Sequence, residues 1–293
     1  MPVLPPDVDV FGLTHQGRVR THNEDHFLIA SLHKLLQVQQ TSLPEEGYAQ
    51  FVSESRGYLF LVADGVGGLP DGHLASETVL RTIADYVTHL MDLYRRLDPT
   101  RETAFLEELS ESVRQSHAVL RERSEREHGG KGLATTLTMV AVLWPRAYLV
   151  QVGDSRCYRL RDGRLERLSR DQTVAQALLD AGALTEEEAG RSPFRGVLAS
   201  AIGGPDASPY TALDDTRRDD VMLLCTDGLT KHVSEPEIQR ELQLLESAEA
   251  TCHRLVDLAL ERGGTDNVTV VIGRLRPKGL EAATSPGAGG DGA

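Results

Sequence analysis

The stretch Gly57-Tyr58-Leu59-Phe60-Leu61-Val62-Ala63-Asp64-Gly65 decides how the chain is to be read. Six apolar residues in succession, closed by Asp-Gly, predict a buried strand that runs into a tight turn. After it the apolar spacing turns helical. Leu74, Val79, Leu80, Ile83, Tyr86 and Val87 predict one helix from Asp71 to about Leu97. Phe105, Leu106, Leu109, Val113, Val119 and Leu120 predict a second from about Thr100 to Glu127, stopped by Gly129 and Gly130. Strands then follow closely over Ala134–Leu143, Arg146–Val152, Cys157–Arg161 and, past the turn Asp162-Gly163, Arg164–Leu168. A helical excursion covers Gln172 to about Ala189, with Thr185-Glu186-Glu187-Glu188 resembling a helix start. A strand at Val221–Thr226, two short helices over Glu235–Leu245 and Ala248–Arg262, and a last strand at Val268–Arg274 complete the reading. Strand clusters separated by paired helices, without regular βαβ alternation, predict an α+β fold of sheets packed against helices.

The remaining segments fall outside this pattern. His33 to Arg56 is long for a loop in a compact domain and reads as a surface insertion. The small, polar tail at 276–293, ending SPGAGGDGA, reads as disordered. One domain over residues 1–275 is therefore expected; 293 residues exceed the usual ~100–150 of a single domain but fit one large one.

Composition excludes several classes. With 40% hydrophobic and 26% charged residues the chain is globular and not wholly disordered. No apolar run approaches the ~20 residues of a membrane-spanning helix, and MPVLPPDVDVFGL lacks the pattern of a secretory signal. The 44 acidic residues against 31 basic ones, a net charge of −13, argue against sequence-independent nucleic-acid binding. They leave room for a local carboxylate cluster whose partner is a cation. Cys157, Cys225 and Cys252 form neither a disulfide framework nor a zinc pattern, so a cytoplasmic protein without membrane or nucleic-acid partners is expected.

The acids sit at strand ends, beside glycine. Asp64 precedes Gly65, Asp154 follows YLVQVG, Asp227 follows VMLLCT and precedes Gly228, Asp266 stands just before the last strand, and Glu24-Asp25 precedes Phe27-Leu28-Ile29. Singly, each is more simply a turn residue. Together, on apolar strands whose ends gather at one sheet edge, they repel unless neutralised. Oxygen ligands without His or Cys favour Mg²⁺ or Mn²⁺ over zinc, and a glycine after Asp lets a backbone carbonyl approach the ion. Arg20, five residues before Asp25, is suited to gripping a phosphate, although spacing alone also fits a solvated charge on an edge strand.

Read as an ordered set, Gly17-Arg-Val-Arg-Thr-His-Asn-Glu-Asp, Ala63-Asp-Gly-Val-Gly-Gly, Gly153-Asp-Ser-Arg, Cys225-Thr-Asp-Gly-Leu and Gly264-Thr-Asp-Asn-Val resemble the metal-dependent Ser/Thr protein phosphatases, type 2C, in their bacterial form. Gly132-Leu-Ala-Thr-Thr, Leu168-Ser-Arg-Asp-Gln-Thr and Ala201-Ile-Gly-Gly agree, and the likeness runs from about Val8 to Leu275.

The resemblance implies a four-layer α-β-β-α sandwich, two mainly antiparallel sheets flanked by helical pairs, with two Mn²⁺ or Mg²⁺ ions at one end. It implies that Asp64 bridges both ions, that the Gly65 carbonyl binds one and that Asp227 and Asp266 bind the other. Glu24 and Asp25 would hold their waters, Asp154 with Asp227 would hold a weaker third ion, and Arg20 would grip the phosphate. The implied activity is hydrolysis of phosphoserine or phosphothreonine by a metal-activated water, on phosphorylated proteins and opposite a cognate Ser/Thr kinase. A pseudophosphatase that only binds phosphoproteins is the alternative. None of the three cysteines lies in a Cys-x5-Arg cradle. The segment at 171–209, with Arg191 and Arg195, corresponds to the family's variable flap, either a substrate selector or an unselective lid. Three positions depart from the pattern. Val66 stands where some relatives have a histidine proposed as general acid, leaving that role unassigned, with His22 a candidate. His73 replaces a common Glu. Lys231 puts a cation where relatives often have an acidic or neutral residue, with weaker third-metal binding or help in phosphate binding as the two expectations.

Overall fold

A computed structural model describes residues 7–32, 57–66, 71–94, 102–129 and 132–276; the expected insertion at 33–56 and the tail beyond 276 lie outside them. The apolar run read above is β3 (Gly57–Asp64), which pairs with β2 (Asp25–Leu32) on one side and β4 (Leu137–Leu143) on the other. With β5 (Arg146–Val152) and β8 (Tyr210–Asp215) they form one antiparallel sheet in the order β2-β3-β4-β5-β8. The second sheet joins β1 (Asp7–His15), β10 (Val268–Arg276), β9 (Val221–Cys225), β6 (Arg156–Arg161) and β7 (Arg164–Arg167) in the order β1-β10-β9-β6-β7.

The two sheets face each other. Phe60, Val62, Val140 and Leu149 from one meet Met222, Leu224 and Val271 from the other. The alternate residues Leu59, Leu61, Met139 and Val150 point the opposite way, onto α1 (Gly72–Tyr94) and α2 (Glu102–His128). On the far side Tyr158, Leu223, Val270 and Ile272 pack under α6 (Glu235–Gln243) and α7 (Ala248–Glu261). The result is four layers. It explains why β3 is apolar without a break: although antiparallel, it is covered on both faces, so neither face can be polar. Among the described residues no helix is long and apolar enough to cross a membrane.

The helical excursion divides, as the start signal at 185–188 implies, into two helices, α3 (Val174–Asp180) and α4 (Glu186–Arg191), separated at Gly182, whose φ of 70° suits glycine. Thr185 starts the second with a capping box to Glu188. Strand β8 was not expected: exposure alternates along it, but its apolar residues do not, and Leu213 stands on the exposed side of this edge strand. A further single turn, α5 (Asp227–Thr230), follows β9 directly.

One contact ties the helical layer to the sheet ends. His117 of α2 accepts the Gly203 backbone N–H at Nδ1 (3.0 Å), and neighbouring Ile202 exchanges two backbone bonds with Thr135. The imidazole must be neutral to accept. Burial, helped by Arg121 and opposed by Asp206, lowers its pKa. Stability from this contact is full above the unfolded histidine's ordinary pKa, ~6.5, and is lost as pH falls below it. In urea titrations at pH 7 and pH 5, His117→Gln, which keeps an acceptor that does not titrate, is expected to lose less stability on acidification than the parent. Phe60→Ala, at the centre of the inter-sheet layer, is expected to destabilise by ~3–5 kcal/mol in the same assay.

Candidate metal centre

Antiparallel pairing brings the acids together. Asp25 opens β2 and Asp64 closes β3, and the register sets them opposite one another. Gly153 and Asp154 leave β5 at the same end. In the other sheet Asp227 follows β9 and Asp266 precedes β10, again at that end.

Asp25 links the sheets. Its Oδ2 accepts the hydroxyls of Thr226 (2.8 Å) and Thr269 (2.7 Å), both from the opposite sheet. Its Oδ1 is buried without a hydrogen bond. Burial raises its pKa to about 7, against the two threonine hydroxyls, which lower it, with Asp227 and Asp266 adding to the rise. Burial also pushes Asp64 well above the usual carboxylate range, with Asp25, Asp227 and Asp154 adding to the push. Asp64 is fixed through its backbone: its N–H donates to Thr136 Oγ1 (3.1 Å), and its carbonyl accepts Thr135 Oγ1 (2.8 Å) and Thr136 N–H (2.8 Å). Gly65 N–H donates to the Glu24 carbonyl (3.1 Å), and a Cβ on Gly72 would lie 2.8 Å from Glu24 Oε1, so a side chain there would push that carboxylate aside. Burial raises Glu24 as well, against the pull of Arg20.

The remaining acids meet cations. Arg20 holds both oxygens of Asp266, Nε to Oδ1 at 2.7 Å and Nη2 to Oδ2 at 3.0 Å. Lys231 Nζ lies 2.6 Å from Asp266 Oδ2 and 2.6 Å from Asp227 Oδ2. Burial raises Asp266, but hydrogen bonds from Lys231 and Arg20 outweigh it and hold the carboxyl below its usual range. Burial raises Asp227 against Lys231, and Asp227 Oδ1 is a second buried oxygen without a hydrogen bond. Asp154 is raised to about 7 by burial, with Asp227 adding to it.

Sequence reasoning missed the residues that hold these acids in place. Asn267 is buried and accepts the Glu24 N–H (2.9 Å) while donating to the carbonyls of Gln16 (2.8 Å) and His22 (2.8 Å). His22 thus contributes a carbonyl here. Gly17, at φ 82°, lets the chain pass where a Cβ would stand 2.2 Å from the Asp266 carbonyl. His232 Nε2 accepts the Thr265 N–H (3.0 Å), and its carbonyl accepts Arg262 (2.9 Å), which also grips Glu237. The available signal was position: Thr226 and Asn267 each adjoin an aspartate already singled out.

A cleft of about 970 Å³ opens beside the acids, with Asp154, Asp227 and Lys231 on one side and Thr173, Leu179 and Arg195 of the 171–209 segment on the other. Arg191 lines a separate hollow and pairs with Glu187 at 2.9 Å. Gln172 roots the segment to the acid loop: its Oε1 accepts the Gly153 N–H (2.8 Å), and its own N–H donates to the Gly153 carbonyl (2.9 Å).

The donor set suits a hard divalent cation. It is all oxygen, two buried carboxylate oxygens lack hydrogen bonds, and burial raises five of the acids. Among the described residues no three His, Cys, Asp or Glu side chains are already arranged to clasp one ion; Arg20 and Lys231 hold the acids of the second sheet instead.

Acids from two facing sheets gather at one end of a four-layer sandwich, an all-oxygen set suited to a divalent cation. A family model described as protein phosphatase 2C matches residues 38–261, and the chain belongs to that family. It is 39% identical over 214 residues to the serine/threonine protein phosphatase PstP of Mycobacterium tuberculosis, across 73% of this chain and 40% of that protein, so it spans less than half the length of that relative. The crystal structure of M. tuberculosis PstP/Ppp superposes with a TM-score of 0.72 at 33% identity, covering 92% of this chain and 99% of that one. A PstP catalytic domain in complex with two manganese ions gives 0.69 at 32%, covering 92% and 98%.

Asn267→Ala removes the three hydrogen bonds of a buried side chain and is expected to destabilise the protein by ~2–3 kcal/mol in urea denaturation.

Proposed function

We propose that this chain is a metal-dependent serine/threonine protein phosphatase acting on phosphoserine and phosphothreonine in proteins. The observation that carries the reading is the convergence of acids from both sheets, of which, among the described residues, Arg20 and Lys231 pair with Asp227 and Asp266. The names of its relatives support it. Asp64, Asp227, Asp266 and the Gly65 carbonyl are the residues to hold two Mn²⁺ or Mg²⁺ ions, with Glu24 and Asp25 beside them and Asp154 sharing a weaker third site with Asp227. When bound, such ions supply Lewis acidity, which eases deprotonation of water and draws charge from phosphoryl oxygens.

The chain's own groups do the rest. Arg20 engages Asp266 through Nε and Nη2, and no hydrogen bond among the described residues uses Nη1, so the guanidinium can donate to a phosphate from its carboxylate mooring. Burial pushes the thiols of Cys225 and Cys252 up to about 12 and that of Cys157 higher still, so none is a thiolate nucleophile. Water is the nucleophile in this reading. Residues 1–275 form the catalytic domain in this reading, with the segment at 171–209 as the wall that meets the phosphoprotein. Three buried, free cysteines suit a reducing cytoplasm, where a Ser/Thr kinase supplies the substrate.

The test is phosphate release from a phosphothreonine peptide. Release should require Mn²⁺ and stop with chelator. Asp227→Asn is expected to lower kcat/KM on the order of a hundredfold or more, and Arg20→Ala to lower kcat by ~10²–10³. No release from folded, Mn²⁺-loaded protein would leave the phosphoprotein-binding pseudophosphatase in its place.

A further inference from the structure

Asp266 carries more positive charge than one carboxylate needs. Arg20 already spans both its oxygens, yet Lys231 Nζ is also 2.6 Å from Oδ2. The same ammonium is 2.6 Å from Asp227 Oδ2. Unlike Arg20, Lys231 bridges two acids that arrive on separate segments, one after β9 and one before β10. It is tethered there, because Lys231 is the C-cap of α5 and its backbone N–H donates to the Asp227 carbonyl (2.8 Å). A divalent ion drawing on those two Oδ2 atoms would meet an ammonium within hydrogen-bond distance of both, and like charges so close repel strongly.

The side chain has somewhere else to go. Lys231 is 38% exposed and lines the cleft with Asp154, on a stem of four methylenes.

We propose that Lys231 is a resident counter-ion that competes with the divalent cation for Asp227 and Asp266, so that metal uptake requires its ammonium to swing off the pair into the cleft. This inference rests on reading the acids as a divalent-cation site. The chain trades metal affinity for an acid pair that stays neutralised when metal is scarce. Once displaced, the ammonium stands in the cleft beside the acids, where an arriving phosphate would find it.

The experiment is calorimetric titration of Mn²⁺ into the chelator-stripped full chain, with Lys231→Met, Lys231→Arg and Asp227→Asn alongside. Lys231→Met is expected to bind Mn²⁺ about tenfold more tightly than the parent, and Lys231→Arg, which keeps the charge, to stay close to it. Metal-free Lys231→Met should melt below the parent, and saturating Mn²⁺ should close or reverse that gap. Lys231→Gln repeats the test if the methionine variant does not fold. Equal or weaker binding by the neutral variants, with the parent and not Asp227→Asn binding Mn²⁺, overturns the lysine inference and leaves the metal reading standing. A parent that takes up no Mn²⁺ overturns both.

Discussion

A single buried carboxylate holds the working end of the sandwich together. Asp25 belongs to one sheet by its backbone and to the other by the two threonine hydroxyls that its Oδ2 accepts. Thr269 also meets Thr14, and Thr14 accepts the side chain of Asn23, so the link continues into the loop that carries Arg20. Two hydroxyls do not neutralise a charge in this setting, and Asp64 faces Asp25 across the ladder. The sheets are thus joined at a place where negative charge is least welcome without a cation. Arg20 and Lys231 meet the acids of the other sheet, and the proposed ions answer the condition at Asp25 and Asp64.

How much of this was legible in the sequence depends on the length scale of the cause. A buried strand was readable because Leu59 to Ala63 has no polar face, and a strand covered on both sides must be apolar throughout, whereas the four layers were implied by the family resemblance. The acids were readable because Asp beside Gly at a strand end is a short-range pattern. Strand β8 was not, since its partner β5 supplies the pairing that its own residues only weakly specify. Nor was Asn267 readable as a clamp: its partners Gln16, His22 and Glu24 are some 250 positions away in the chain, and side-chain bonds across that separation leave no periodic trace.

Lys231 lies between these cases. Its charge stands out in the sequence next to an aspartate, but only the fold shows that it meets two acids and that Arg20 already satisfies one of them. The electrostatics of the centre are therefore uneven. Burial raises Asp25, Asp64 and Asp154 on the β2-β3-β4-β5-β8 side and Asp227 on the other, while Asp266 is held low by two cations.

The root of the 171–209 segment has a mechanical meaning. Gln172 is bonded to Gly153 in both directions, and Gly153 is the residue before Asp154. The same glutamine donates to the Ser208 carbonyl at the segment's far end (2.8 Å), so one side chain gathers both ends of the excursion and the acid loop into a common joint. The outer wall of the cleft and the loop that carries Asp154 thus hang from one amide.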